Sequence, residues 1–289
     1  MLQKIDLDIF KEKQLSVFVK RDDLIHPFIS GNKYRKLFYG LKDFKNRHVQ
    51  TLVTFGGAFS NHIHAFAFAC HQNNIQSIGI IRGEELQDQP LNDTLSFAVK
   101  HGMKLVFVSR KEYKRRNDQD YLEELKLKYN AEIVPEGGSL DSATLGLVDM
   151  VNEINQQQHF DFICTPCGTG GTIAGIVAGL SPEQQCLGFL ALKGIDNDIK
   201  QKIRSQTKNE NYTLISDFDF GGYAKYNQEL IDFLKQLKKD TNIQFDQVYN
   251  GKMMFGLLKL IDSDYFKPNS SICIVHTGGL QGLLPELRI

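Results

Sequence analysis

The sequence has no excess of charge of either sign, because 34 lysines and arginines balance 34 aspartates and glutamates. Nucleic acids and anionic membranes attract proteins with basic surfaces, so this balance argues against both as partners. No uninterrupted apolar run approaches the roughly 20 residues that span a bilayer, and the first residues lack the apolar core of a signal peptide. We therefore expect a cytoplasmic protein that acts on a small molecule.

Cysteine is scarce, with five residues scattered through apolar surroundings. This usage is typical of reduced, buried thiols, so disulfides are not expected. Cys164 and Cys167 have the Cys-x-x-Cys spacing of redox and zinc sites, but zinc would need a second ligand pair, which the sequence lacks. We expect these thiols to be structural and no metal to be bound; a redox role is the alternative.

Short β-rich runs alternate with helix-length segments along all 289 residues. The predicted strands are residues 17–19, 51–55, 75–81, 105–108, 132–134, 160–164, 187–192, 212–215 and 271–275. The predicted helices are residues 61–72, 121–129, 142–156, 170–180, 227–239 and 252–261. Such alternation predicts an α/β fold of mostly parallel sheets, covered by helices on both faces.

No repeat, low-complexity tract or linker divides the chain, so two domains would be separated only where the chain crosses between them. Glycine-bearing turns near Gly40 and Gly137 bracket four strand-helix units that would form a smaller sheet. We predict a large domain of residues 1–44 and 138–289 and a small domain of residues 45–137. Ligands of open α/β sheets bind beyond the carboxyl ends of strands, so functional residues are expected in strand-to-helix turns.

The string Gly168-Thr169-Gly170-Gly171-Thr172 follows a predicted buried strand and opens a helix of small residues. Glycines let backbone N–H groups converge on an anion, and the helix dipole adds positive potential at the same point. The dinucleotide fingerprint fails because Ile173 stands where its third glycine would be, and the chain has no Walker A motif. We predict a phosphate site; tight helix-sheet packing is the alternative reason for the glycines.

Lys33 offers an amine near a helix start. Gly31 and Asn32 are turn formers that set it in the first turn of a predicted helix, with Leu37 and Leu41 at helical spacing. A lysine desolvated near a helix N-terminus loses proton affinity and becomes able to hold a carbonyl compound as a Schiff base. Lys36, one turn later, is the competing candidate.

Ser60, Asn61 and His62 begin a helix directly after the strand 51–55 and its glycine turn. Ser60 would also be a normal helix N-cap, which is the structural alternative. The Asn61 amide suits a phenolate oxygen or a substrate carboxylate. His62 and His64 lie too close in sequence to share a helix face, so a metal pair is not expected there.

In their order along the chain, these strings resemble the 1-aminocyclopropane-1-carboxylate (ACC) deaminase/D-cysteine desulfhydrase family. The similar stretches are residues 31–37 (GNKYRKL), 57–62 (GAFSNH) and 169–175 (TGGTIAG), and the resemblance runs from about residue 17 to residue 279. That family belongs to the fold-type-II pyridoxal-phosphate enzymes, which include the tryptophan synthase β subunit. The resemblance implies a two-domain, three-layer α/β fold with open, mostly parallel sheets, and pyridoxal 5'-phosphate as cofactor.

The resemblance also implies roles for individual residues. Lys33 would bind the cofactor covalently and move protons, while Gly168, Thr169, Gly170, Gly171 and Thr172 would hold the cofactor phosphate. Asn61 would hydrogen-bond the 3' oxygen of the cofactor, and Ser60, Asn61 and His62 would contact the substrate. Tyr223 and Tyr249 match the local context of two active-site tyrosines; a half-buried structural aromatic is the alternative for each.

Three departures bear on the substrate. After the second tyrosine, ACC deaminases place a glutamate beside the pyridine nitrogen of the cofactor, whereas this chain has Asn250, which is not the threonine usual in D-cysteine desulfhydrases either. A neutral partner makes a weaker electron sink, sufficient for β-elimination but poorly suited to opening a cyclopropane ring. Thr277, expected to contact the substrate, and His62 stand where deaminases have leucine and glutamine, and both favour the D-cysteine side.

The sequence therefore predicts a pyridoxal-phosphate-dependent lyase, similar to D-cysteine desulfhydrase, that converts a D-amino acid to pyruvate, ammonia and sulfide. ACC deaminase is the second enzyme candidate. A non-catalytic pyridoxal-phosphate-binding protein with a regulatory role is the candidate from a different class. The resemblance implies a homodimer.

Overall fold

A computed structural model describes residues 1–288 of the chain. The chain divides into two compact units. The first unit contains Met1–Ile25 and the chain from Leu147 onward, and the second contains His26–Gly146. Within the described residues, no helix is both long and apolar enough to cross a membrane.

The strands alternate with helices along most of the described chain. The strands are β1 (Leu2–Ile5), β2 (Ser16–Lys20), β3 (Thr51–Gly56), β4 (Gln76–Arg82), β5 (Met103–Val108), β6 (Glu132–Val134), β7 (Phe162–Cys167), β8 (Gln185–Leu190), β9 (Tyr212–Ile215) and β10 (Ser271–Val275). The α-helices are α1 (Asp8–Glu12), α2 (Asn32–Asn46), α3 (Asn61–Gln72), α4 (Asp93–Lys100), α5 (Arg110–Tyr113), α6 (Gln119–Tyr129), α7 (Ala143–Gln157), α8 (Gly171–Gly179), α9 (Asp196–Arg204), α10 (Gln228–Thr241) and α11 (Asn250–Asp262). Short 3-10 helices cover Asp22–Leu24, Glu84–Leu86, Lys114–Asn117, Glu136–Gly138, Leu280–Gly282 and Pro285–Leu287.

The first unit contains a six-stranded sheet in the order β1-β2-β10-β7-β8-β9. Its strands pair in parallel, except that β1 runs antiparallel to β2. Alternate residues of a strand face opposite sides of a sheet. Ile272 and Ile274 accordingly share a core with α1, α10 and α11, whereas Cys273 and Val275 share one with α7, α8 and α9. The sheet is therefore the middle of three layers.

The second unit contains a four-stranded sheet, all parallel, in the order β5-β4-β3-β6. Leu52 and Ile81 share a core with α2, α3 and α4. Val53 and Ile80 share a core with α5 and α6. This unit also has three layers, and the carboxyl end of β3 leads directly into the turn before α3.

The predicted fold class is confirmed in both sheets, which are mostly parallel and covered by helices on both faces. Each predicted strand overlaps one of β2 to β10, and the strands of the smaller sheet come from the four predicted strand-helix units. The elements β1, α1, α4, α5 and α9 were not predicted. Each of these has between four and nine residues, too few for a clear periodic pattern.

The predicted small domain, residues 45–137, lies inside the second unit and includes its four strands. The second unit is longer at both ends, since it begins after Ile25 and ends at Gly146. On the N-terminal side the reason is α2, whose Leu37 and Leu41 are buried in the core of the second unit, and on the C-terminal side Leu140 packs against the same core. The domain bounds themselves stay a prediction.

Candidate active site

Lys33 lies in the first turn of α2, where its sequence context predicted it. Leu37 and Leu41, one and two turns later, are buried in the core of the second unit. Lys33 itself is half-buried, and burial lowers its pKa from 10.5 to about 8. Within residues 1–288 no hydrogen bond or ion pair holds its ammonium group. An amine that is partly desolvated and not committed to an anion is suited to act as a nucleophile or a base.

The competing Lys36 is in a different situation. Its side chain is 1% exposed, and its Nζ donates to the Gly137 carbonyl oxygen at 3.0 Å and to Ser139 Oγ at 3.5 Å. These bonds commit the Lys36 ammonium to the turn that follows β6. The geometry therefore favours Lys33 over Lys36 as the reactive amine, and the covalent role of Lys33 stays a prediction.

Ser60 is the N-cap of α3, and its hydroxyl oxygen accepts a hydrogen bond from the Ile63 N–H at 3.3 Å. The structural alternative for this serine is thus present in the fold. A hydroxyl that accepts one bond keeps its own hydrogen and a second lone pair for another partner. Ser60 and the adjacent Asn61 are both half-buried at the end of the helix. Capping and substrate contact are therefore compatible at Ser60.

His62 is 2% exposed and bonded to the strand before it. Thr54 Oγ1 donates to the Val134 carbonyl at 2.8 Å, so it accepts from His62 Nε2–H at 2.7 Å. Burial, with the nearby Lys33 and Lys36, holds the pKa of His62 well below its ordinary range. The ring is therefore neutral, and its buried Nδ1 is a bare acceptor with no partner in the described part of the chain. This geometry gives His62 a role in holding β3; its substrate contact stays a prediction.

The loop 168–172 connects β7 to α8 in the first unit. No side chain caps α8, so the N–H groups of its first turn point out of the helix end. Gly170 has φ +79°, which other residues rarely adopt, and a Cβ there would lie 3.2 Å from Ile199. A Cβ on Gly168 would lie 3.0 Å from the ring of Tyr249. Packing and an anion cradle both require glycine here, so the geometry is compatible with both interpretations.

The two predicted tyrosines lie close together in the first unit. Tyr249 directly precedes α11, Tyr223 lies between β9 and α10, and their ring centroids are 6.1 Å apart. Tyr249 is half-buried and Tyr223 is 43% exposed. Because the Tyr249 ring lies close to Gly168, this pair of tyrosines lies beside the glycine loop.

Asn250 is fully buried, and every hydrogen-bonding group of its side chain is used inside the protein. Its Nδ2 donates to Asp246 Oδ1 at 2.6 Å and to the Gly278 carbonyl at 2.9 Å. Its Oδ1 accepts from the Thr277 N–H at 2.9 Å and from Thr277 Oγ1 at 3.1 Å. The amide therefore fixes Thr277 and has no donor left for another partner. Direct contact of Asn250 with the cofactor stays a prediction.

Asp246 is a residue whose role was not predicted from the sequence. Its Oδ2 accepts from the N–H groups of Val248 and Tyr249 at 2.9 and 2.7 Å, and its Oδ1 accepts from the Asn250 N–H at 3.0 Å. This carboxylate thus satisfies the amides that lead into α11 and orients the Asn250 side chain. An aspartate just before a helix start is the available signal, since aspartate is a preferred helix cap.

The five cysteines are free and buried. Burial raises the pKa of the Cys164 thiol well above its ordinary range and raises that of Cys167 as well. A redox pair needs a thiolate that its partners can reach. The structure therefore favours the structural interpretation of the Cys-x-x-Cys spacing.

The predicted site residues form two groups, one in each unit. The second unit holds Lys33, Ser60, Asn61 and His62, and the first unit holds Gly168, Thr169, Gly170, Gly171, Thr172, Tyr223, Tyr249, Asn250 and Thr277. An uncommitted amine suits an aldehyde, and an uncapped helix end with adjacent hydroxyls suits a phosphate. Taken separately, each group therefore suits one part of the expected cofactor, the aldehyde in the second unit and the phosphate in the first.

Comparison with known proteins gives two sequence matches of note. The profile of the family described as pyridoxal-phosphate dependent enzyme matches residues 5–278. An Arabidopsis thaliana protein is 30% identical over 301 residues, and the match covers 94% of this chain and 74% of that protein. It is named bifunctional D-cysteine desulfhydrase/1-aminocyclopropane-1-carboxylate deaminase, mitochondrial.

Two solved structures are similar to the fold. One, described as an ACC deaminase homologue, has a TM-score of 0.84 at 28% identity, and the match covers 98% of this chain and 90% of that one. Serine racemase from Dictyostelium discoideum has a TM-score of 0.68 at 15% identity, with coverage of 96% and 91%. These matches confirm the predicted fold-type-II architecture.

Proposed function

Because the chain belongs to the family of pyridoxal-phosphate dependent enzymes, we propose that it is a lyase that eliminates sulfide from D-cysteine or a similar D-amino acid. The products are pyruvate, ammonia and hydrogen sulfide. The cofactor predicted from the sequence is the one on which this family depends. When bound, it supplies an electron-withdrawing ring that stabilises negative charge at the substrate Cα.

Lys33 and the loop 168–172 are the groups that we assign to cofactor binding. The lowered pKa of Lys33, about 8, leaves part of the amine unprotonated at neutral pH and therefore nucleophilic. The N–H groups at the uncapped end of α8, with the hydroxyls of Thr169 and Thr172 beside them, are the donors for the phosphate. Asn61, at the start of α3, is assigned to the 3' oxygen.

The enzyme needs a binding site for the substrate carboxylate, and we assign this site to the N-terminal end of α3. The partial positive charge of a helix N-terminus favours an anion. Ser60 accepts the capping bond from Ile63 and keeps its own hydrogen to donate. Asn61 adds an amide donor beside it, while the buried His62 holds β3 behind them.

Elimination then needs a base at Cα and an acid at sulfur. Lys33, or one of the tyrosines Tyr223 and Tyr249, removes the Cα proton. The Cβ–S bond breaks with its electron pair on sulfur, which takes a proton from the protonated base or from water and leaves as hydrogen sulfide. The released enamine reacts with one water to give pyruvate and ammonia.

The observation that carries the choice of elimination over ring opening is the state of Asn250, whereas the choice of the D-enantiomer rests on the resemblance. This side chain is neutral, fully buried and saturated by Asp246, Thr277 and Gly278. The nearest carboxylate, Asp246, is itself occupied by backbone N–H groups. A site with no free carboxylate at this position favours elimination, which needs less charge stabilisation than opening a cyclopropane ring.

ACC deamination is the second candidate, and the names of the relatives favour it. The Arabidopsis thaliana relative is named for both activities, and the solved structure with the TM-score of 0.84 is described as an ACC deaminase homologue. Both candidates yield ammonia and a 2-oxoacid, which is the three-carbon pyruvate from D-cysteine and the four-carbon 2-oxobutanoate from ACC. Only D-cysteine yields sulfide as well.

A side-by-side measurement of kcat/KM for D-cysteine, L-cysteine and ACC tests the proposal. The purified protein is loaded with pyridoxal phosphate, and the 2-oxoacid product is quantified, as pyruvate from either cysteine and as 2-oxobutanoate from ACC. We expect D-cysteine to be the best of the three substrates, and we expect Lys33→Met to be inactive while it remains folded. Faster formation of 2-oxobutanoate from ACC than of pyruvate from D-cysteine would overturn the substrate assignment.

The resemblance also leads us to propose a homodimer, and the cytoplasm stays the location that we expect from the sequence. Light scattering on the purified holoenzyme should give twice the 32.9 kDa mass of the chain. A monomeric mass at micromolar concentration would contradict the dimer.

A further inference from the structure

Lys252 is a buried lysine to which the proposed reaction gives no task. It is the third residue of α11, and its side chain is 1% exposed. Its Nζ donates to the carbonyl oxygens of Asp219 and Gly222, each at 2.7 Å, and lies 3.4 Å from that of Ala191. The three hydrogens of the ammonium thus meet three backbone acceptors.

Such a lysine is expensive to bury, because removing an ammonium from water disfavours its charged form. Burial lowers the pKa of Lys252 to about 8, although the carboxylates of Asp219 and Asp246 act in the opposite direction. A methionine would fill a similar volume without this cost. The bonds that Lys252 makes to the backbone are therefore its specific contribution.

Two of these bonds hold residues 216–227, the connection from β9 to α10, which we call the Tyr223 segment. Phe220 and Ala224 have φ of 53° and 54°, a left-handed conformation that is strained for residues with a Cβ. Local turn bonds link Gly222 N–H to the Asp219 carbonyl at 3.0 Å and Lys225 N–H to the Gly222 carbonyl at 3.2 Å. Lys252 donates to the same two carbonyl oxygens, those of Asp219 and Gly222, that accept the turn bonds. It therefore stabilises the strained conformation of the segment.

The position of Tyr223 depends on these turns. Tyr223 directly follows Gly222, and its ring lies 6.1 Å from that of Tyr249, which directly precedes α11. Lys252 thus joins the helix that starts after one tyrosine to the segment that carries the other. We propose that Lys252 is a positioning residue that fixes Tyr223 relative to Tyr249. The part of this proposal that rests on the proposed function is the participation of the two tyrosines in the reaction.

The chain offers a matched control in Lys20. This lysine is 2% exposed in the same unit, and its Nζ pairs with Glu153 at 2.7 Å and with Asp22 at 3.6 Å. Its partners lie outside the Tyr223 segment. Lys20→Met therefore removes a buried ammonium without touching the bonds that concern Tyr223.

The experiment compares Lys252→Met with Lys20→Met in the loaded enzyme. For Lys252→Met, we expect kcat with D-cysteine to fall about 100-fold, the effect of a displacement of about 1 Å, with KM changed less than about threefold. In a Tyr223→Phe background, Lys252→Met should add less than about threefold to the loss. Lys20→Met should keep its kcat within about twofold of the parent enzyme. Equal losses in both variants, or full additivity with Tyr223→Phe, would overturn the proposal.

A second readout does not depend on catalysis. Trypsin cleavage after the exposed Lys225 reports opening of the Tyr223 segment, and we expect it to be about tenfold faster in Lys252→Met than in Lys20→Met. If Lys252→Met does not fold, Lys252→Gln retains amide donors and should show the same changes to a smaller degree. Unchanged cleavage in a folded variant would overturn the proposal. Absence of sulfide from the parent enzyme would instead refute the proposed function and leave the cleavage rates to decide the role of Lys252.

Discussion

The reactivity of Lys33 toward an aldehyde should follow pH with a midpoint near 8. An amine reacts in its unprotonated form, and burial lowers the pKa of Lys33 from 10.5 to about 8. At pH 7.5 about one quarter of the amine is then unprotonated, against about one thousandth at the ordinary pKa. The predicted advantage of Lys33 at this pH is therefore about 200-fold.

The assay mixes apoprotein with excess pyridoxal phosphate, stops the reaction with borohydride at set times, and measures the labelled tryptic peptide by mass spectrometry. The range is pH 7 to 10.5, above the second phosphate pKa of about 6. Because a lowered pKa frees the amine at lower pH, the rate constant for Lys33 should rise up to about pH 8 and then level off. The exposed Lys42 in the same digest serves as an internal comparison.

A rate that keeps rising through pH 10 would refute the conclusion that burial activates Lys33. Label on Lys36 instead of Lys33 would refute the choice between the two lysines. That choice rests on the bonds of Lys36 to Gly137 and Ser139, which leave Lys36 committed to the backbone turn.

Three further outcomes follow from the geometry. Ser60→Ala removes the cap of α3 and should lower the free energy of unfolding by about 1 kcal/mol, or Tm by about 2–4 °C in calorimetry. Ser60→Asn should restore Tm but not sulfide release. Recovery of both would mean that Ser60 acts only as a helix cap. Gly170→Ala forces a residue with a side chain to adopt φ +79°, at a cost of about 1–2 kcal/mol. In fluorescence titrations it should weaken binding of pyridoxal phosphate more than binding of pyridoxal. Equal losses of affinity for the two compounds would contradict the phosphate site. Asp246→Ala leaves three backbone amides and the Asn250 side chain without their acceptor. Urea denaturation should therefore show a loss of at least about 2 kcal/mol in the free energy of unfolding. A change below about 0.5 kcal/mol would contradict the structural role of Asp246.

The fold could be predicted to a large extent because its signals are local. Strand-helix alternation led to both parallel sheets, and the strand after residue 160 led to the glycine turn before α8. Short elements such as β1 and α1 gave no periodic signal. The boundary at Ile25 depends on α2 packing into the core of the second unit, a contact that no composition change marks.

The candidate site could be predicted only in part, because contacts between residues distant in the sequence decide much of it. Lys33 and Lys36 share one helix, and what separates them is a bond from Lys36 to Gly137, about a hundred residues away in the chain. The saturation of Asn250 depends on Asp246 and on Thr277, which lies further along. The task of Lys252 depends on carbonyl groups of another connection. Such long-range bonds are set by the tertiary structure and have no signature in a single sequence.

We propose that this pyridoxal-phosphate dependent enzyme breaks a Cβ–S bond in a D-amino acid. The most direct test is to measure sulfide and pyruvate in the same reaction of the loaded protein with D-cysteine. We predict equal amounts of the two products at every time point, with none formed by Lys33→Met. Formation of 2-oxobutanoate from ACC without sulfide from D-cysteine would contradict this assignment.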